Sequence, residues 1–399
     1  MHDMTDPPSL AQTSWLREMR LQAVLTLLGW RGGEARVAGG AVRNALLKVP
    51  VADVDIATNL PPDEVMDRCR AAGFGVHPTG IEHGTVTVVN QHMPFEVTTL
   101  RSDVATDGRR ATVIFTDDWQ ADAARRDFTM NAMYCDANGK VYDYTNGYAD
   151  ILKRRVRFVG DPEKRIREDY LRILRFFRFH AHYGAGAVDA DGLAACTSLR
   201  LGIEDLSAER IRQELLKLLV APRAGETLKV MAEAKILHHV LDFVPEWEVV
   251  DRLPEDAILR LAALARSTEG LQDGLRLSNE QTKRLMALRE APEVTPELTT
   301  SERRRLLYDL GERTFIDAVN MSRARAEGKQ DDLAWKVLAV TSKYWSIPQF
   351  PLTGRDLQGV GLEPGPAMGE TLRALEDWWI ASDFNPTRDQ LLARAQMRK

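Results

Sequence analysis

The chain has 399 residues, 44% of them hydrophobic and 28% charged, with a formal net charge of −5. That length can bury a core for two or more subdomains, and the acidic balance argues against a general nucleic-acid binder. Cys69, Cys135 and Cys196 lie too far apart for a C-x-x-C site, which fits a reducing compartment such as the cytoplasm, and no apolar run reaches membrane-spanning length.

The start, M-H-D-M-T-D-P-P-S-L, lacks the apolar stretch of a signal peptide and reads as a flexible arm, residues 1–14. Ser14 is a candidate cap for a first helix carrying Trp15, Leu16, Met19, Val24, Leu27 and Leu28, with Gly29 ending it. A short apolar strand then runs into Gly39-Gly40 and a helical segment with Arg43. A Gly-Gly turn lets backbone N–H groups approach a phosphate at a helix N-terminus. Asp53 and Asp55 follow, separated by Val54. On a strand, residues two apart share a face, so these carboxylates would repel unless a cation sat between them. Mg²⁺ takes hard oxygen ligands and shares them with phosphate. Taken singly, a D-x-D pair or a Gly-Gly turn is common; their order and closeness point to a metal-held triphosphate.

Pro61-Pro62 opens another helix with Val65, Met66 and Cys69 on one face and Gly73 as its stop. G-T-V-T-V-V-N and P-F-E-V-T-T-L, separated by Gln91-His92-Met93, predict an antiparallel hairpin that carries Glu96. The polar first half of 101–118, with Asp107, Arg109 and Arg110, reads as a mobile loop. Residues 121–133 predict a helix bearing Arg125, Arg126, Asp127 and Asn131. Its arginines suit phosphate by their planar fork of donors, although Arg-Arg-Asp on a helix is otherwise a surface salt-bridge pattern.

From Ile151 to His180 there are ten Lys/Arg and four Asp/Glu, a basic stripe on an acidic protein. A long helix after Pro162 is expected to place Asp169 and Arg172 on one face, three residues apart. A carboxylate accepts from an exocyclic amine, and a guanidinium donates to a ring nitrogen. Cytosine and adenine present that pair of groups; uracil and guanine present the reverse. Asp169 and Arg172 would then select C and A without a nucleic-acid template, or else form an ordinary intrahelical ion pair. L-S-A-E-R-I-R-Q-E-L-L-K-L-L follows, with Ser207 as N-cap and Arg210 and Glu214 at i,i+4. Beyond about 221, helical periodicity recurs with almost no strand signal. The basic clusters Arg303-Arg304-Arg305 and Arg323/Arg325/Lys329 read first as solvated helix faces.

G-G-A-V-R followed by D-V-D resembles the head motif of the DNA polymerase β-like nucleotidyltransferases. Within them the chain is similar to the class II CCA-adding tRNA nucleotidyltransferases and the related bacterial poly(A) polymerases. R-R-D-F-T-M-N-A, the turn Asp143–Ile151, E-D-Y-L-R and the Leu206–Leu219 string match later motifs in the same order. One position departs: the family usually has Asp after the arginine, where this chain has Asn44.

The resemblance implies an α+β fold, a small mixed sheet with helices as nucleotidyltransferase head, followed by an all-helical neck, body and tail. The expected boundaries are 15–152, 153–220, 221–345 and 346–399. It implies Asp53 and Asp55 as ligands of Mg²⁺, with Glu96 as a third catalytic carboxylate or else a solvated strand residue. Gly39, Gly40, Arg43, Arg125, Arg126, Asp127, Asn131, Asp169, Arg172, Arg175 and Arg178 would bind the nucleotide. The charged segment with Asp107, Arg109 and Arg110 resembles the family's flexible loop and favours addition of the terminal A. The implied function is completion of the 3′-terminal CCA of tRNA from CTP and ATP, with no membrane or stable protein partner. The alternatives are a poly(A) polymerase and a partial CC- or A-adding enzyme. Against the former, the chain has T-T-L-R-S-D where a G-R-R-F-type string is expected.

Overall fold

Short β-branched runs punctuated by glycine turns build the sheet of the N-terminal half. The computed structural model describes residues 6–103, 113–326, 328 and 333–397. Its contacts divide after Asp242 into two units. Asp107, Arg109, Arg110 and Lys329 lie outside the described residues.

The first unit opens with α1 (Met19–Leu28), β1 (Ala35–Ala38), α2 (Gly40–Leu47), β2 (Asp55–Thr58) and α3 (Pro62–Ala71). Strands β3 (Gly75–Gly80), β4 (Thr85–Asn90), β5 (Met93–Thr99), β6 (Arg101–Asp103) and β7 (Val113–Phe115) follow. Then come α4 (Trp119–Ala124), β8 (Met133–Cys135), β9 (Val141–Asp143) and α5 (Gly147–Leu152). The unit closes with α6 (Pro162–Glu168), α7 (Leu171–Tyr183), α8 (Ala190–Ser198), α9 (Ala208–Leu219) and α10 (Ala224–Glu233).

Seven strands form one sheet in the order β3-β4-β5-β2-β1-β8-β9. Only the β2–β5 pair of that sheet is parallel, and its register sets Asp55 beside Glu96. The predicted hairpin is β4–β5, with Met93 drawn into the second strand. Gln91 and His92 alone make the turn, both at positive φ (47° and 65°), the primed geometry that matches strand twist. On α3, Val65, Met66 and Cys69 are buried as the spacing predicts.

Four local expectations fail for identifiable reasons. The first helix starts at Met19, not after Ser14, because Glu18 caps it through the Arg20 N–H. The arm is anchored from Ser9: Leu10 is buried and its N–H donates to the Gly139 carbonyl at 2.8 Å. The expected helix over 121–133 ends at Ala124, since Asp127 turns back to accept from the Phe128 N–H at 2.8 Å. Residues 129–131 then form a 3₁₀ turn. Finally, the helix after Pro162 is broken at Asp169, whose backbone is extended (φ −158°, ψ 105°). Its Oδ1 accepts from the Leu171 N–H at 3.1 Å, the local side-chain bond by which Asp competes with helix continuation. The next residue, Tyr170, lies so close over Gly202 that a Cβ there would come within 2.1 Å of the ring.

Helix α7 is held by its apolar face, where Ile173, Leu174, Phe176 and Phe177 are buried. Phe176 stacks on Phe158 with ring centroids 5.2 Å apart, and Phe158 lies 5.0 Å from Phe128. This aromatic core joins α7 to the segment that follows the sheet. It leaves the arginine face of α7 turned elsewhere.

The second unit is helical: α11 (Trp247–Arg252), α12 (Ala257–Leu264), α13 (Leu271–Leu275), α14 (Asn279–Glu290) and α15 (Thr300–Arg325). Helices α16 (Leu333–Ala339), α17 (Thr341–Tyr344), α18 (Gly354–Gly359), α19 (Pro366–Ala381) and α20 (Arg388–Gln396) complete it. Gly311 (φ 73°) kinks α15. Leu357, Met368, Leu375 and Trp379 pack the tail together, with Leu362, Leu372 and Trp378 against them. Arg304 pairs with Asp383 at 2.6 Å and Arg325 with Glu246 at 2.9 Å.

Candidate active site

Where β1 ends, the chain must turn sharply into α2. Gly39 makes that turn at φ 64°, ψ −109°, a conformation for glycine alone. A Cβ there would lie 3.1 Å from Arg126 Nη1 and 3.3 Å from the Asn131 carbonyl. The turn forms the floor of a cleft of about 430 Å³. Gly39, Gly40, Arg43, Asp55, Arg125, Arg126, Asp127, Asn131, Asp169, Arg172, Arg175 and Phe179 line it. Five arginines thus face three aspartates, a balance suited to a polyanion.

The arginines are tethered in series. Arg43, buried, donates to Asn131 Oδ1 at 2.5 Å and to the Tyr183 hydroxyl at 3.0 Å. Asn131 Nδ2 donates to Asp127 Oδ1 at 3.1 Å, and Asp127 Oδ2 accepts from Arg175 Nε at 3.0 Å. Burial depresses the pKa of Arg43, against the raising influence of Tyr183 and Asp127. Burial pushes Asp127 the other way, but Arg175 outweighs it and holds the carboxyl below its usual range.

A second network lies behind the cleft. Asp122 is buried and accepts from the Tyr134 hydroxyl at 2.6 Å, Arg125 Nη2 at 2.6 Å and Arg126 Nη2 at 3.2 Å. Burial would raise its pKa; Arg126, Arg125 and the Tyr134 hydrogen bond bring it below the ordinary value. Arg125 also donates to the Arg101 carbonyl at 3.0 Å, reaching the first residue of β6. Sequence reading missed Asp122 and Tyr134. The D-x-x-R-R spacing, i to i+3 and i+4 on α4, was the available signal.

Asp55 stands at the cleft end of β2, with Glu96 beside it on β5 and Asp53 just before the strand. Its pKa is raised, first by burial and then by Glu96, with Arg126 opposing and Asp53 adding. Asp53 lies outside the strand, contrary to the expected strand pair, and neither Asp53 nor Glu96 lines the cleft itself. Among the described residues, no group of three His, Cys, Asp or Glu is disposed to hold a metal ion.

The break between α6 and α7 changes the partners of the expected selecting pair while leaving both residues in the cleft wall. Asp169 accepts from Arg210 Nη2 at 2.8 Å. Arg172 donates to Glu168 at 2.6 Å and to the Arg165 carbonyl at 2.8 Å. Arg210 and Glu214 do not pair along α9 as their spacing suggests. Glu214 is buried and accepts from Arg178 Nε, so Arg178 does not line the cleft. Asn44 Oδ1 accepts from Arg43 Nε and Nη2 at 3.0 and 2.8 Å.

A mixed sheet with a Gly-Gly turn, flanking carboxylates and an arginine-rich cleft defines a nucleotidyltransferase. Residues 35–157 match the poly A polymerase head domain, and residues 187–249 match the probable RNA and SrmB-binding site of polymerase A. The chain is 36% identical to CCA tRNA nucleotidyltransferase 1, mitochondrial, of Danio rerio, over 90% of this chain and 86% of that protein. It is 33% identical to the CCA-adding enzyme of Streptococcus gordonii, over 88% and 90% respectively. The crystal structure of the Bacillus stearothermophilus CCA-adding enzyme in complex with CTP superposes with a TM-score of 0.81 at 27% identity, covering 95% of this chain and 97% of that one. The chain belongs to the class II CCA-adding enzyme family.

Proposed function

We propose that this chain adds or repairs the 3′-terminal CCA of tRNA from CTP and ATP, and that the cleft at the Gly39-Gly40 turn is where the nucleotide binds. The observation that carries this reading is the convergence on one cleft of a phosphate-sized glycine turn, Asp55, five arginines and the Asp169/Arg172 wall. The names of relatives and structural neighbours, including a complex of the Thermotoga maritima CCA-adding enzyme with tRNA, support the substrates.

On this reading the Gly39-Gly40 backbone and Arg43 receive the triphosphate, with Arg126 beside them. Arg43 has only uncharged hydrogen-bond partners in Asn44, Asn131 and Tyr183, which leaves its charge for an anion. Asp169 accepts from the exocyclic amine of C or A and Arg172 donates to the adjoining ring nitrogen. Glu168 and the Arg165 carbonyl hold that guanidinium still. Asp53 and Asp55 are the ligands for Mg²⁺, which fits the crowded acids around Asp55. When bound, the metal lowers the pKa of the attacking 3′-hydroxyl and neutralises charge on the leaving pyrophosphate. Glu96, beside Asp55 on the adjoining strand, is the third carboxylate, assigned to the attacking hydroxyl. Positioning and charge supply most of the catalysis in such transfers. The three buried thiols accord with a cytoplasmic site of action.

The test supplies tRNAs ending before CCA, after C, or after CC, with each single nucleoside triphosphate and Mg²⁺, and sequences the products. Stepwise C, C, A addition is expected. Repeated AMP addition to generic RNA would replace this reading with poly(A) synthesis, and a single class of product would indicate a partial enzyme.

A further inference from the structure

Asn44, next to Arg43 on the Gly-Gly helix, both accepts and donates through its side chain. Its Oδ1 accepts from Arg43, and its Nδ2 donates to the Pro50 carbonyl at 2.9 Å. The orientation of the amide is fixed by chemistry: a guanidinium only donates and a carbonyl only accepts. The Asn44 backbone adds a third tie, since its carbonyl accepts from the Val49 N–H at 2.9 Å. Residue 44 therefore clasps the 48–50 turn, made by Lys48 at φ 60°, to the helix that presents Arg43. Pro50 stands three residues before Asp53 and five before Asp55.

We propose that Asn44 is a positioning residue that locks Arg43 to the turn leading into Asp53 and Asp55. The triphosphate-facing cation and the metal-facing carboxylates are thereby held in one geometry, without an acid being spent on Arg43. This rests on the assignment of Arg43, Asp53 and Asp55 given under Proposed function. Only a side chain that accepts and donates at once satisfies both contacts. An ionised Asp at this position would keep the bond to Arg43 but set a carboxylate oxygen against the Pro50 carbonyl with no proton between them. It would also place a full negative charge on a guanidinium whose hydrogen-bond partners are now neutral.

The test compares Asn44→Asp and Asn44→Ala with the parent chain. CTP and ATP affinities are measured by calorimetric titration without tRNA, with and without Mg²⁺, alongside KM, kcat and thermal unfolding. The expected result for Asn44→Asp is a roughly tenfold loss of affinity for both nucleotides, the scale of a hydrogen bond to a charged group. KM rises in parallel, half-maximal turnover needs more Mg²⁺, and preference for C and A over U and G is unchanged. Asn44→Ala, which removes both contacts without adding charge, is expected to raise the Mg²⁺ requirement with a smaller loss of affinity. Asn44→Asp with the parent's nucleotide affinity and Mg²⁺ requirement overturns the proposal, as does a fall in melting temperature unaccompanied by either change. Arg43→Ala and Asp53→Ala separate the two levels. If both abolish addition while Asn44→Asp behaves as the parent, only this inference fails; if both leave turnover intact, the site assignment itself fails.

Discussion

Replacing Asp122 by alanine is the sharpest test of how the cleft arginines are held. The Asp122 carboxylate is 2% exposed and sits between Arg125 and Arg126, themselves 15% and 21% exposed. It also takes the Tyr134 hydroxyl at 2.6 Å and the Arg101 N–H at 3.3 Å. Alanine removes the carboxylate shared by two largely buried guanidiniums and a phenol. That leaves Arg125 the Arg101 carbonyl, and Arg126 the Tyr134 hydroxyl and Asn131 carbonyl. No other carboxylate pairs with either arginine among the described residues. Breaking a buried ion pair from one side costs about 3–5 kcal/mol, because the remaining charge stays desolvated. For a unit of this size that corresponds to a fall in melting temperature of roughly 6–20 °C. Urea unfolding followed by circular dichroism measures it, with Tyr134→Phe and the double variant completing a cycle. A coupling of about 0.5–3 kcal/mol between the two positions is expected for residues sharing one network. CTP affinity should fall as well, because Arg126 loses the group that aims it past Gly39. An Asp122→Ala chain that unfolds within about 1 kcal/mol of the parent, well below the cost of breaking such a pair, would refute the reasoning.

Asp53→Ala and Asp55→Ala should each abolish nucleotide addition while preserving the fold by circular dichroism; normal turnover in either would remove the metal assignment. Arg172→Ala should relax the choice of C and A over U and G by up to roughly a hundredfold, the worth of one bidentate base contact. Unchanged incorporation ratios would end the idea of protein-side selection. His180 gives a pH dependence with a definite sign. Burial and the nearby Arg223 push its pKa down to about 4, with Glu226 opposing, from an ordinary 6.5. The unfolded chain therefore binds the extra proton first. The contribution of neutral His180 is complete above pH 6.5 and is lost as pH falls towards 4. Between pH 7 and pH 5 the parent should lose about 2 kcal/mol of unfolding free energy that a His180→Phe variant does not lose. Parallel pH curves for the two chains would contradict the burial argument.

What could be read from the chain alone follows the range of the physics involved. Periodicity located α3, the β4–β5 hairpin and the helical second unit, because burial of one face is written into spacing. The motif residues Gly39, Gly40, Arg43, Asp55, Arg126, Asn131, Asp169 and Arg172 converge on one cleft. Sequence order alone could not show that convergence. The failures cluster where a side chain competes with the backbone. Asp127 and Asp169 both sit in helical-looking strings, and both stop the helix by accepting a nearby N–H. The same effect misassigned ion pairs. Arg210 and Glu214 are helical neighbours by number, yet each finds a partner in the 169–178 segment. Spacing rules count neighbours within one element, whereas the cleft is assembled between elements. The break at Asp169 turns its carboxylate and Arg172 into the cleft wall from separate helices, each with its own anchor.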